Sequence, residues 1–385
     1  MPPRPCRHVL VLAIATLVIG CAGPEPGADT AQASDPSLAS RGMDAEAIGS
    51  LRNAQVAIPR VAADPPVTYF TPTMDSAQQA ELARTAPGVR IVSGLSRAEA
   101  LARAEEADGA DASYASPEFL EAATNLKWVQ ARSAGVDHVL SVPGLGGRDD
   151  LIVTNFRAVH GPAIADHVFA MLLALTRDLP HRLADQAEGR WNRSGPSVLP
   201  PVALEGRTLL VVGLGGIGTE IARRGHGFGM RVLGIRRSDD PGPDFVERVG
   251  KAADLPAFLA ESDVVALAVP LTAETEGMID STALATMRPG GYLLNIARGQ
   301  VVDQDALLAA LRSGRLAGAG LDVTDPEPLP ADHPLWRQPN VVITPHVASR
   351  AELTTERGEA LLAENLRRFG AGEPLLNVVD KRAGY

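Results

Sequence analysis

Short runs of apolar residues recur along the chain and alternate with longer stretches rich in alanine, glutamate and arginine. The runs at residues 67–70, 89–92, 112–114, 126–130 and 151–154 predict strands, and the stretches 75–85 and 97–107 between them predict helices. A second series at 208–212, 230–235, 264–269, 291–295, 319–322 and 341–344 repeats the pattern. Runs without polar alternation suit strands buried on both faces, and their alternation with helices predicts parallel sheets covered on both sides. Between the two series lies a helix over 162–177, apolar on nearly every face through Ala163, Ile164, Val168, Phe169, Met171, Leu172, Leu173 and Leu175, with Pro162 in the tolerated first turn. Such a helix belongs between two packed bodies. A last helix over 351–369 is free to fold back on the first block. The expected fold class is α/β, with two Rossmann-like or flavodoxin-like domains, a cleft between them, and the C-terminal helix returning to the first domain.

The first strand of the second series runs directly into Gly213-Leu214-Gly215-Gly216-Ile217-Gly218, with a helical stretch behind it. This G-x-G-x-x-G between strand and helix is a cradle for a dinucleotide pyrophosphate. Gly213 permits the tight turn, Gly215 lets the backbone approach the phosphates, and Gly218 lets helix and strand pack closely. Free N–H groups at the helix start then face the anion. An NAD-preferring site would place Asp or Glu at the end of the next strand, on the ribose 2′-hydroxyl. Here Arg236-Arg237-Ser238 stand there, and guanidinium groups with a hydroxyl suit a 2′-phosphate. NADP(H) is therefore the expected cofactor, with NAD(H) the alternative.

At 385 residues, with 45% hydrophobic and 21% charged residues, the chain is long enough for two globular domains. Its net charge of -10 argues against nucleic acid or an anionic membrane face as partner, and aromatics at 4% offer no base-stacking platform. Both cysteines lie near the start. Arg4 and Arg7 precede a short apolar core over 9–19 that ends in Val18-Ile19-Gly20-Cys21, which resembles a bacterial lipoprotein signal. This reading makes residues 1–21 a leader, Cys21 the lipidated residue and 22–64 a flexible tether, so the protein would be membrane-anchored through lipid alone. A start at Met43 is the alternative and would leave a cytoplasmic protein. With the leader processed, no thiol remains for a disulfide, a nucleophile or a zinc site, and no metal is expected.

Three polar residues stand at element ends in the second block. Arg298 follows the strand in Asn295-Ile296-Ala297-Arg298-Gly299, Glu327 lies in Asp325-Pro326-Glu327-Pro328, and His346 closes Thr344-Pro345-His346. Interconverting a 2-hydroxy and a 2-keto acid needs a cation for the carboxylate, a proton donor and acceptor for the carbinol oxygen, and a group that tunes the donor. Arg binds carboxylate bidentately, His titrates near neutrality, and a neighbouring carboxylate favours the imidazolium. Arg, Glu and His are a sufficient set.

From here the sequence resembles the D-isomer-specific 2-hydroxyacid dehydrogenase family. The matching segments are Leu126-Lys127-Trp128-Val129-Gln130 with Ala134-Gly135-Val136-Asp137, then Ala165-Asp166-His167-Val168, the glycine loop, and Arg288-Pro289-Gly290-Gly291. Gly318-Ala319-Gly320-Leu321-Asp322-Val323, Glu327-Pro328, Pro334-Leu335-Trp336 and Pro339-Asn340-Val341 complete the series. The resemblance implies that Arg298 binds the substrate carboxylate, that His346 is the acid and base, and that Glu327 pairs with it. It also implies backbone contacts to substrate around Ala134 and Gly135, Asp322 at the nicotinamide end, and a cofactor lined further by Val269, Pro270, Ile296 and Ala297. Residues 65–158 and 347–385 would form the substrate domain and 159–346 the NAD(P) domain, in a homodimer formed partly through the long helix.

The substrate expected is a short 2-keto acid such as glyoxylate or hydroxypyruvate. Thr324 and Asp166 depart from the family pattern without removing a reactive group. A phosphite or formate dehydrogenase on the same fold and a non-catalytic dinucleotide sensor are the alternatives; Glu327, where formate enzymes resembling this family carry Gln, argues against formate.

Overall fold

The computed structural model describes residues 66–193 and 200–385. Cys21, the leader, the tether over 22–64 and Met43 lie outside the described residues.

In the first block β1 (Val67–Thr71), β2 (Val89–Ser93), β3 (Gly109–Asp111), β4 (Trp128–Gln130) and β5 (Ile152–Thr154) form one sheet in the order β2-β1-β3-β4-β5. Every ladder is parallel, and the order is that of flavodoxin-like sheets. The strand expected at 112–114 is displaced: β3 ends at Asp111, and Ala112–Tyr114 is a 3-10 turn. The Asp111 carboxylate accepts the Ser113 amide at 3.0 Å, and the Tyr114 hydroxyl donates to the carbonyls of Thr71 and Leu95. A short polar side chain that bonds the backbone two residues on ends an extended run. The helix expected over 97–107 likewise divides, into Arg97–Ala102 and a 3-10 turn at Ala104–Glu106.

The second block holds β6 (Thr208–Val212), β7 (Arg231–Ile235), β8 (Arg248–Gly250), β9 (Val264–Leu267), β10 (Gly291–Asn295), β11 (Leu316–Leu321) and β12 (Val341–Ile343). They pair in parallel in the order β12-β11-β10-β9-β6-β7-β8. The chain passes from β6 to β7 on one side and returns to β9 on the other. Ligands collect outside the carboxyl ends of the strands at such a switch point, here β6 and β9. Strand β8, short, arginine-led and at the sheet edge, has no apolar run to announce it.

The long helix Gly161–Thr176 packs against the helix Gly216–Gly227, burying Val168, Phe169 and Leu172 with Ile221 and Ala222 in the core of the second sheet. The last helix, Glu352–Ala371, returns to the first sheet: Leu361, Leu366 and Phe369 pack with Tyr69 and Trp128, and the rings of Trp128 and Phe369 lie 5.1 Å apart. Burying each such side chain contributes about 1.5–3 kcal/mol, which holds the returning helix in place. Past it, the amide of Val379 donates to Val153 at 2.8 Å, and Val378 bridges Thr154 at the edge of β5. Among the described residues, no helix is long and apolar enough to cross a membrane.

Candidate active site

At the end of β6 the backbone of Gly213 takes φ +105°, a conformation side chains resist, and a Cβ there would lie 2.5 Å from the carbonyl oxygen of Ala268. A Cβ on Gly218 would collide with the carbonyl of Gly213. Gly215 has a different reason: nothing stands within 4 Å of the place its side chain would occupy. The first intrahelical bond runs from Thr219 N to Gly215 O, which leaves the amides of Gly216, Ile217 and Gly218 without an intrahelical acceptor at this end of the helix. A pyrophosphate fits there. Gly215→Ala is therefore expected to leave the melting temperature unchanged while weakening dinucleotide affinity about tenfold or more, because its methyl group meets only the phosphates. Calorimetric titration with NADPH and a thermal melt check both halves.

Beside this turn, the end of β7 carries Arg236, Arg237 and Ser238. The Arg236 side chain is 19% exposed; its Nη1 pairs with Asp240 at 2.8 Å, and its Nε is buried with no hydrogen-bond partner among the described residues. Lys251 donates from Nζ to the carbonyls of Arg237 at 3.0 Å and Ser238 at 2.6 Å and to the Asp239 carboxylate at 2.7 Å. No reading of the sequence singled out this lysine. It follows β8 and reaches the 237–239 turn only because β8 pairs with β7. On the other flank, Val269 touches the place of a Gly213 side chain, Thr275 donates to the Pro270 carbonyl at 2.6 Å, and Ile296 and Ala297 are buried.

Arg298 follows β10 in a turn held by Asn295, whose Oδ1 accepts the Ala297 amide at 3.0 Å and whose Nδ2 donates to the Arg298 carbonyl at 2.9 Å. Its guanidinium crosses to the first block. Nη2 donates to Oδ1 of Asp137 at 2.8 Å and Nε at 3.2 Å, while Nη1 donates to the Ala297 carbonyl. Burial pushes the Asp137 carboxyl up, but the hydrogen bonds and charge of Arg298 outweigh it and hold it below the usual carboxylate range. A Cβ on Gly135 would collide with Nη2 of Arg298, so this loop lies directly against the guanidinium. The Ala134 carbonyl accepts from Asn155, and the Gly135 carbonyl from Ser133. The amides of Ala134 and Gly135 donate to no partner among the described residues and remain available to a carboxylate.

After β12 the chain turns sharply, with His346 at φ +53°. Its Nδ1 donates to Oε1 of Glu327 at 2.7 Å, so Nε2 is left for another partner. Asp322, expected at the nicotinamide end, lies beneath this turn and is 3% exposed. Its carboxylate accepts from the Thr344 hydroxyl at 2.6 Å and from the amides of Val347 and Ala348 at 2.9 Å. Those bonds clamp the loop that presents His346, and the Asp322 carbonyl also accepts the His346 amide. His167 of the long helix adds a 2.8 Å contact to Thr344. Gln300 and Gln304 tie the Arg298 turn to Asp325, two residues from Glu327. Arg298, Glu327 and His346 thus come from the carboxyl ends of the adjacent strands β10, β11 and β12. The arrangement suits binding an anion, holding a proton and accepting one.

Residues 169–348 match the D-isomer specific 2-hydroxyacid dehydrogenase, NAD binding domain. Over 269 residues the sequence is 41% identical to a glyoxylate reductase of Korarchaeum cryptofilum, covering 69% of this chain and 79% of that protein. The chain belongs to the D-isomer-specific 2-hydroxyacid dehydrogenase family. It is an oxidoreductase of the CH–OH group of 2-hydroxy acids, with a nicotinamide dinucleotide as cofactor. A solved family protein from Aeromonas salmonicida is 36% identical with a TM-score of 0.70, covering 82% of this chain and 99% of its own. A family enzyme of Xanthobacter autotrophicus, solved with NADPH and MES, is 34% identical with a TM-score of 0.69, covering 83% and 99%. This dehydrogenase shares with them its two parallel-sheet α/β blocks.

Proposed function

We propose that this dehydrogenase reduces short 2-keto acids, glyoxylate or hydroxypyruvate among them, with NADP(H) as preferred cofactor. The observation that carries the reaction is the 2.7 Å bond between His346 and Glu327 on a loop clamped by Asp322, one strand from Arg298. The glyoxylate reductase relative and the small Ala134-Gly135 wall against Arg298 support a short substrate. When bound, the nicotinamide supplies hydride to the keto carbon. Arg298 holds the substrate carboxylate together with the amides of Ala134 and Gly135, and its charge stabilises the oxygen as it gains electron density. His346 gives that oxygen a proton from Nε2, and Glu327 keeps the imidazole oriented through its bond to Nδ1. In the oxidative direction the same imidazole takes the proton back.

For the cofactor, the supporting features are the unpartnered Nε of Arg236, the adjacent Arg237, and the absence of a carboxylate at positions 236–238. The NADPH held by the Xanthobacter relative agrees with it. A hydrogen bond to a charged group contributes about 1.5–3 kcal/mol, so NADPH is expected to exceed NADH about 10- to 150-fold in kcat/KM. Steady-state kinetics on a panel of 2-keto acids with both reduced cofactors measures this. An NADH preference sinks the cofactor assignment, and turnover of none of the acids sinks the substrate assignment.

A further inference from the structure

One contact at the cleft has no part in the chemistry above. Past the last helix the chain stays on the first block, through the Val378 bridge to β5 and through Lys381, whose Nζ donates to the Leu151 carbonyl at 2.9 Å and to that of Arg148. It then closes a turn over residues 380–385. The Asp380 carboxylate accepts the amides of Arg382 and Ala383 at 3.0 Å, and the backbone amide of Asp380 donates to the Tyr385 carbonyl at 3.0 Å. This turn carries Tyr385 across to the second block, where the Arg237 guanidinium lies 4.6 Å from the ring centroid. Thr272, in the segment after β9, sits beside Gly384. Tyr385 also shares its charged surroundings with Glu274 and Arg157.

The placement follows from the sheet order. β7 and β9 flank β6, so Arg237 and Thr272 stand on either side of the glycine turn, at the end of the cleft where the adenosine half of a dinucleotide belongs. A free arginine there samples many rotamers, whereas one stacked on an aromatic face keeps its planar fork in one orientation. We propose that Tyr385 is a positioning residue for cofactor discrimination: its ring holds Arg237 so that the guanidinium meets the 2′-phosphate, and the first block thereby takes part in choosing the cofactor. This rests on the reading of Arg236 and Arg237 as 2′-phosphate ligands.

The test is calorimetric titration of the whole protein with 2′,5′-ADP and with 5′-AMP, which differ by that phosphate, beside the NADPH and NADH KM values. Cation–π stacking of this kind corresponds to roughly a 2- to 30-fold loss when removed. Tyr385→Ala is expected to weaken 2′,5′-ADP by that factor and to raise the NADPH KM in proportion, with 5′-AMP, NADH and kcat unchanged. Tyr385→Phe, which keeps the ring, is expected to behave as wild type. A Tyr385→Ala protein that keeps the wild-type ratio of the two nucleotides, or that loses both equally, overturns the proposal alone. A wild-type protein that binds both nucleotides equally overturns the 2′-phosphate reading and this proposal with it.

Discussion

Replacing His346 by glutamine is expected to lower kcat by about 10²- to 10⁴-fold, the range of a positioned general acid or base. Glutamine retains a donor of similar reach but cannot lend and recover a proton. NADPH affinity should stay unchanged, because His346 stands after β12 and the phosphate cradle stands between β6 and its helix. The split is informative, since loss of a residue that merely supported the fold would lower both. The loop itself should survive, because its hold comes from Asp322 on Thr344, Val347 and Ala348 and not from the imidazole. Single-turnover rates at saturating NADPH and glyoxylate, with a calorimetric Kd for NADPH, test this. Near wild-type turnover would remove His346 from the reaction.

The second large effect is expected at Arg298. Arg298→Ala deletes the guanidinium placed against the Ala134-Gly135 loop, and a charged hydrogen bond at about 1.5–3 kcal/mol sets a fall in kcat/KM of about 10- to 150-fold, felt mainly as a higher KM for the keto acid. Lysine should not rescue it. Two nitrogens of the guanidinium reach Asp137 while the third reaches the Ala297 carbonyl, a fork that a point-charge ammonium cannot reproduce. Arg298→Lys is accordingly expected within tenfold of Arg298→Ala. Recovery of wild-type KM by lysine would mean that charge alone, without planar geometry, suffices. An unchanged KM in Arg298→Ala would place the substrate carboxylate elsewhere.

Asp137 acts through a contact that no local sequence pattern contains. Its motif, Ala134-Gly135-Val136-Asp137, was visible, yet its tie to Arg298 joins residues 161 positions apart. Lys251 was missed for the same kind of reason: only the pairing of β8 with β7 brings it under the 237–239 turn. For Asp322 the family resemblance implies only a place at the nicotinamide end; that its carboxylate also clamps the loop behind His346 follows from β11 and β12 lying side by side. The displaced strand at 112–114 has a local cause that could have been read, since Asp111 is a turn former and Gly109-Ala110 are too small to mark a strand by hydrophobicity.

What the chain determined by itself was everything encoded within one strand, turn and helix: the parallel α/β class, the glycine cradle with its reasons for glycine, the apolar long helix, and the residue types needed for hydroxy-acid chemistry. These depend on side-chain periodicity and backbone freedom, which act over a few neighbours. The folded structure alone decided which distant polar groups meet: Asp137 on Arg298 and Tyr385 on Arg237 across the two blocks, and Asp322 under His346 within the second. Such pairs form because sheet order and the returning last helix set distant segments side by side, a matter of packing that no local pattern records.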